Sequence, residues 1–130
     1  VDFLRYVCGQ LGIAAEFAKE RAEEAARKRW RETFDVASAR AVASLPVLLE
    51  YCLPLVKKGG LFIAMKGAGA VQEVQQAQAA AARLCGKYAG RRDFTLPDGS
   101  ARSLLFYEKI SQTPPVYPRN GGKIAKAPLK

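Results

Sequence analysis

The 130 residues predict an α/β domain: a mostly parallel sheet flanked by helices and finished by an antiparallel hairpin. Three observations carry that expectation. Segments of helical spacing alternate with short apolar runs along most of the chain. Leu61–Met65 is a continuous apolar run of the kind found in parallel strands buried on both faces. Two β-rich segments, 88–95 and 103–110, flank the turn formers Leu96-Pro97-Asp98-Gly99-Ser100.

Taken in order, Val1, Leu4, Val7, Cys8 and Leu11 recur at helical spacing, and Gly12 stops that helix. The chain thus opens inside a helix that has no cap before it. Residues 14–19 are expected as a short strand, and 21–31 as a charged helix or ordered loop. Phe34–Ala39 reads as a buried strand ending at Arg40. Ser44 caps a helix with Pro46 in its first turn and Leu45, Leu48, Leu49, Cys52 and Leu53 on its apolar face. Pro54 forces a bend, and Gly59-Gly60 is expected to turn the chain into strand 61–65. Val71–Leu84 is expected as one helix before the hairpin. The domain covers 1–110. Residues 111–130 form a basic, Pro-rich arm, expected to be extended because three prolines fall within five residues.

The net charge of +9 points to a polyanionic partner. The excess is uneven: residues 1–90 carry 13 bases against 9 acids, and residues 91–130 carry 8 against 3. From Ser111 onward there are bases at Arg119, Lys123, Lys126 and Lys130 and no acid. The arm therefore suggests phosphate contacts through Arg119, Lys123 and Lys126, with Tyr117 stacking on a base. Cys8, Cys52 and Cys85 are scattered and form no CxxC pair, so buried thiols are expected rather than disulfides or zinc. Histidine is absent, which removes imidazole-based catalysis and His-ligated metals. No stretch approaches the roughly 20 apolar residues of a membrane span, and residues 1–7 are no secretory signal. A cytoplasmic monomer without metal is expected.

In open α/β sheets ligands bind beyond the carboxyl ends of the strands. Polar residues follow three successive expected ends: Arg21 with Glu23, then Arg40, then Lys66. They are expected to share one rim, suited to an anionic or zwitterionic ligand.

The segments Arg21-Ala22-Glu23-Glu24, Phe34-Asp35-Val36, Ala39–Leu45, Leu53–Gly60 and Lys66-Gly67 carry a family likeness. So do Phe94-Thr95-Leu96-Pro97 and the run from Thr113 through Tyr117-Pro118-Arg119 to Leu129. Together they resemble the bacterial 16S rRNA (guanine-N7) methyltransferases, the RsmG (GidB) family. The resemblance implies a Rossmann-like fold of seven strands that binds S-adenosyl-L-methionine. It implies cofactor contacts at Ala22, Glu23 and Arg40, and places Lys66 near the target base or the RNA backbone. It also implies that the glycine-rich first loop and the first two strands lie upstream of Val1. The chain would then be the carboxy-terminal part of the enzyme, and alone it would bind cofactor weakly or not at all.

The implied substrate is 16S rRNA, free or in the small ribosomal subunit. Guanine N7 carries a lone pair and no proton, so its methylation needs orientation rather than a general base. Two other readings stay open on the residues alone. One is a non-enzymatic RNA-binding or ribosome-assembly module. The other is a nicotinamide-binding Rossmann fragment.

Overall fold

The computed structural model describes residues 2–40, 43–67 and 69–129. Four strands form one mixed sheet: β1 (Phe34–Arg40), β2 (Val56–Lys66), β3 (Gly86–Thr95) and β4 (Ala101–Lys109). Their order is β1-β2-β4-β3, so among the described residues β1 is an edge strand with one side unpaired. β1 and β2 run parallel, while β4 is antiparallel to both neighbours. The α/β class with a terminal hairpin is as expected.

Helices cover one face. α3 (Leu45–Cys52) is followed by a short 3-10 turn, Leu53–Leu55. Across the sheet lie α4 (Ala70–Gln76) and α5 (Gln78–Arg83). The core is shared between Leu45, Leu48, Leu49 and Leu53 below and Phe62, Ala64, Leu105 and Tyr107 above. On β2 burial alternates from Gly60 to Lys66, with Met65 41% exposed. Leu61–Met65 is therefore covered fully on one face only, because among the described residues no helix crosses the other. α1 (Asp2–Leu11) buries none of its residues.

Several expected elements take another form. Residues 14–19 are irregular. A strand needs a neighbour to complete its hydrogen bonds, and among the described residues this segment has none. Gly59-Gly60 is not a turn between elements but lies inside β2. Phe34 pairs with Val56 and Val36 with Leu61, so the glycines absorb a bulge. Gly59 takes φ +86°, and a Cβ on Gly60 would lie 2.5 Å from the Asp35 carbonyl oxygen. The single helix expected over 71–84 breaks at Ala77, whose ψ of 1° interrupts it.

Residues 111–129 pack onto the body as a strap rather than standing off as an extended arm. After Asn120 the strap coils into α6 (Gly121–Lys126), capped by the Asn120 side chain, which accepts from Lys123 N. Ile124 and Leu129 are buried. Arg31 donates to the carbonyls of Thr113 (2.8 Å), Pro114 (3.1 Å) and Tyr117 (2.7 Å), and Arg27 donates to Pro118 O. Thr113 donates through its hydroxyl to Leu84 O and through its amide to Glu32. Glu32 also meets the fully buried Lys109 ammonium, which donates to Leu53 O and Val56 O. The two arginines satisfy main-chain carbonyls of the strap, which pairs with no strand among the described residues.

Candidate functional site

The carboxyl ends of β1 and β2 and the outer part of the hairpin enclose a cavity of about 720 Å³. That lies within the size range of small-molecule sites, roughly 300–1,000 Å³. Arg40, Met65, Lys66 and Gly67 form one wall; Phe94, Leu96, Arg102 and Ser103 form the other. A second hollow of about 400 Å³ lies between the hairpin and the start of α4.

Arg40 ends β1 and pairs in register with Met65. Alternation puts both on the sheet face away from the helices, so the guanidinium stands at the rim. Lys66 ends β2 on the opposite, helix-covered face and is only 7% exposed. Its ammonium donates to Ala43 O (2.7 Å) and to Glu73 Oε1 (2.9 Å). The same carboxylate oxygen accepts from Leu45 N at the start of α3. Lys66 thus ties the end of β2 to α3 and α4, and its charge is neutralised inside the fold.

Arg40 and Lys66 therefore both border the cavity, but the Arg40 side chain stands on the open face of the sheet and the Lys66 ammonium on the other side. Glu23 does not join them. Its carboxylate accepts from Arg21 (2.7 Å) and is buried against Gly121 of α6. That pairing raises the Arg21 pKa from its ordinary value, first through the hydrogen bond and then through the charge of Glu23. Ala22, beside it, opens α2 (Ala22–Arg27) and is half-buried.

The arm residues separate. Tyr117 is half-buried and packs against the core. Arg119 grips Glu50, itself 1% exposed, through Nη2–Oε1 (2.8 Å) and Nε–Oε2 (3.0 Å), and its Nη2 also donates to Ala127 O. Those bonds raise the Arg119 pKa further. Arg119 therefore clamps the strap instead of presenting a free guanidinium. Lys123 and Lys126 are exposed on α6.

Sequence reasoning missed the far wall. Phe94 is 43% exposed, and with Leu96, Arg102 and Ser103 it faces Arg40 and Lys66 across the cavity. The signal was available in the turn at 96–100, because hairpin register brings residues before and after a short turn side by side. The described residues contain no group of three or more His, Cys, Asp or Glu that could hold a metal ion. No described helix is long and apolar enough to cross a membrane.

Helices packed on a parallel pair extended by an antiparallel hairpin, with a cavity at the strand ends, define a methyltransferase-type α/β domain. Solved structures share that fold. The [4+2]-cyclase SpnF superposes with TM-score 0.60 at 12% identity, over 85% of this chain and 62% of its own. A putative sarcosine dimethylglycine methyltransferase from Galdieria sulphuraria gives 0.53 at 8% identity, over 83% of this chain and 65% of its own.

The family model "GidB: rRNA small subunit methyltransferase G" matches residues 1–89, and the chain belongs to that family. It is 45% identical to ribosomal RNA small subunit methyltransferase G of Geobacillus kaustophilus and 47% identical to that of Alkaliphilus metalliredigens. Each alignment takes in 100% of this chain and 56% of the relative, so the chain spans about half the length of these relatives.

Proposed function

We propose that the protein carrying this chain transfers a methyl group from S-adenosylmethionine to N7 of a guanine in 16S ribosomal RNA. The observation that carries this reading is the lining of the cavity between the strand ends and the hairpin. Its described walls hold Arg40, Lys66, Arg102 and Ser103 among apolar groups, with no carboxylate, imidazole, thiol or phenol. These described walls offer no general base, and N7 needs none: its lone pair attacks directly. Membership of a family named for ribosomal RNA methylation supports the substrate class.

The residues fit the cofactor at this rim. Arg40 supplies a guanidinium suited to its carboxylate or hydroxyl oxygens, and Met65 supplies apolar surface. The family likeness assigns the main-chain groups of Ala22 and Glu23, which lie outside this cavity, to the adenine end, the Glu23 carboxylate being held by Arg21. When bound, the cofactor supplies a methyl group on a sulfonium centre. The protein's part is to orient N7 in line with that methyl and exclude water. Lys66 acts as a positioning residue by fixing the end of β2 against α3 and α4. Lys123 and Lys126 add cations on α6 for the RNA backbone.

The test is methylation of 16S rRNA and of small ribosomal subunits by the full-length protein with methyl-labelled S-adenosylmethionine. The label should map to guanine N7 by borohydride–aniline strand cleavage. Arg40→Ala should lower the rate at least tenfold. Label on an exocyclic amine or a ribose, or none at all, would sink the reading.

A further inference from the structure

The hairpin carries cations beyond the one that lines the cavity, and strand alternation sorts them by face. Arg40 pairs with Met65, Met65 with Leu104, and Leu104 with Arg92, so one row crosses all four strands on the face without helices. At about 4.8 Å between strands, Arg40 and Arg92 stand roughly 14 Å apart. The next pair outward, Arg102 with Phe94, lies on the same face. Arg92 and Arg102 are exposed, as is the Phe94 ring.

The acids of this region point elsewhere. Asp93 pairs with Ser103 on the opposite face, where it accepts from the Ser103 hydroxyl (2.7 Å) and from Arg91 Nε (3.2 Å). Asp98 accepts from Ser100 N within the turn. On the open face of the hairpin the acid is Glu108, four residues down β4 from Leu104 and opposite Lys87. At about 3.3 Å per residue it is some 13 Å from the row. The outer end of this face is therefore cationic and aromatic, and it adjoins the cavity at Phe94 and Arg102.

We propose that Arg92, Phe94 and Arg102 form a landing surface for a single-stranded stretch of the RNA substrate. The guanidiniums take phosphates, and the Phe94 ring stacks under a base next to the one entering the cavity. The chemistry favours a single strand. Aromatic stacking requires unpaired bases, and guanine N7 in duplex RNA lies in a groove closed to side chains. This inference rests on the methyltransferase reading and extends it by naming how the RNA is held.

The experiment measures filter binding of the full-length protein to a single-stranded 12-mer RNA and to 16S rRNA, with S-adenosylhomocysteine present. Arg92→Gln with Arg102→Gln should weaken binding at least about tenfold. The slope of log K against log salt should fall by about 1.4, at roughly 0.7 per phosphate on a single strand. Phe94→Leu should weaken binding about tenfold with little change of slope. Both variants should keep the circular-dichroism spectrum and the unfolding midpoint of wild type, which shows that they are folded. Lys28→Gln with Arg83→Gln removes two exposed charges elsewhere and should change the slope by less than half as much.

Equal loss in that control overturns the proposal, because any positive charge would then serve. Unchanged RNA affinity in the hairpin variants, with methylation intact, also overturns it and leaves the proposed activity standing. Failure of the wild type to methylate RNA overturns the activity and the landing surface together.

Discussion

Arg119 of the strap and the hairpin arginines, both in the carboxy-terminal third, use their positive charge in opposite ways. In the strap at 111–129 the guanidinium of Arg119 is taken up by buried Glu50 and a main-chain carbonyl. In the hairpin Arg92 and Arg102 stand in solvent on one face, while Asp93 is turned to the other. The difference teaches that a count of charges locates a polyanion site only after the internal pairs are subtracted. A buried guanidinium that already has its carboxylate contributes to stability. An exposed one contributes little to stability and remains open to phosphate.

The largest expected effect follows from this contrast. Arg119→Ala leaves Glu50 charged and buried, which costs about 3–5 kcal/mol. Chemical denaturation should show that loss, while the RNA affinity of the folded fraction stays unchanged. A loss of RNA affinity without a loss of stability would reverse the roles assigned to the two regions. Gly121→Ala places a Cβ against the Glu23 carboxylate. Lifting α6 or shifting that buried pair should cost about 1–3 kcal/mol, measured by the same method.

A third prediction concerns pH. Burial pushes the Cys52 thiol up to about 12 from an ordinary value near 9. The folded state therefore holds the neutral thiol, and the stability this confers is complete below about pH 9. It is lost as pH rises toward 12, at about 1.4 kcal/mol per pH unit. Tyr107, raised to about 12 mainly by burial, acts in the same direction. Unfolding free energies between pH 9 and 11 should fall less steeply in Cys52→Ala than in wild type. The Tyr107 hydroxyl is buried without a hydrogen-bond partner among the described residues, so Tyr107→Phe should leave stability within about 1 kcal/mol of wild type or raise it. The smallest effect is expected in the hairpin. Arg92→Gln with Arg102→Gln should move stability by less than about 0.5 kcal/mol per site, and a larger drop would show that these side chains are structural.

The sheet was legible where the pattern is local. Strand 34–40, the helix after Ser44 and the hairpin around Pro97-Asp98-Gly99 are each specified by neighbours within a few residues, but the strand is mostly exposed rather than buried and the Ser44 side chain makes no cap bond, Glu73 accepting from Leu45 N instead. Arg40 and Lys66 were legible as strand ends and both line one cavity, but their side chains stand on opposite faces of the sheet, so the expected convergence on one rim is not seen. What failed depended on distant partners. Residues 14–19 have strand composition but nothing among the described residues to pair with. Gly59-Gly60 signals a turn in any local reading, yet parallel pairing with β1 draws it into a bulge. The Ala- and Gln-rich run 71–84 gave no hint of a break at Ala77. The Arg119–Glu50 pair joins residues 69 apart in sequence, and the two lie in segments whose local patterns do not mention each other. The buried position of Glu23 escaped notice for the same reason, since Gly121 supplies its wall.

The outer margin of β1 has a practical consequence. In the isolated 130-residue chain its main-chain amides and carbonyls on that side meet no strand among the described residues and offer a template for another ribbon. Crowding the purified polypeptide should therefore promote oligomers through strand addition, and a short β-forming peptide that caps this border should keep it dispersed.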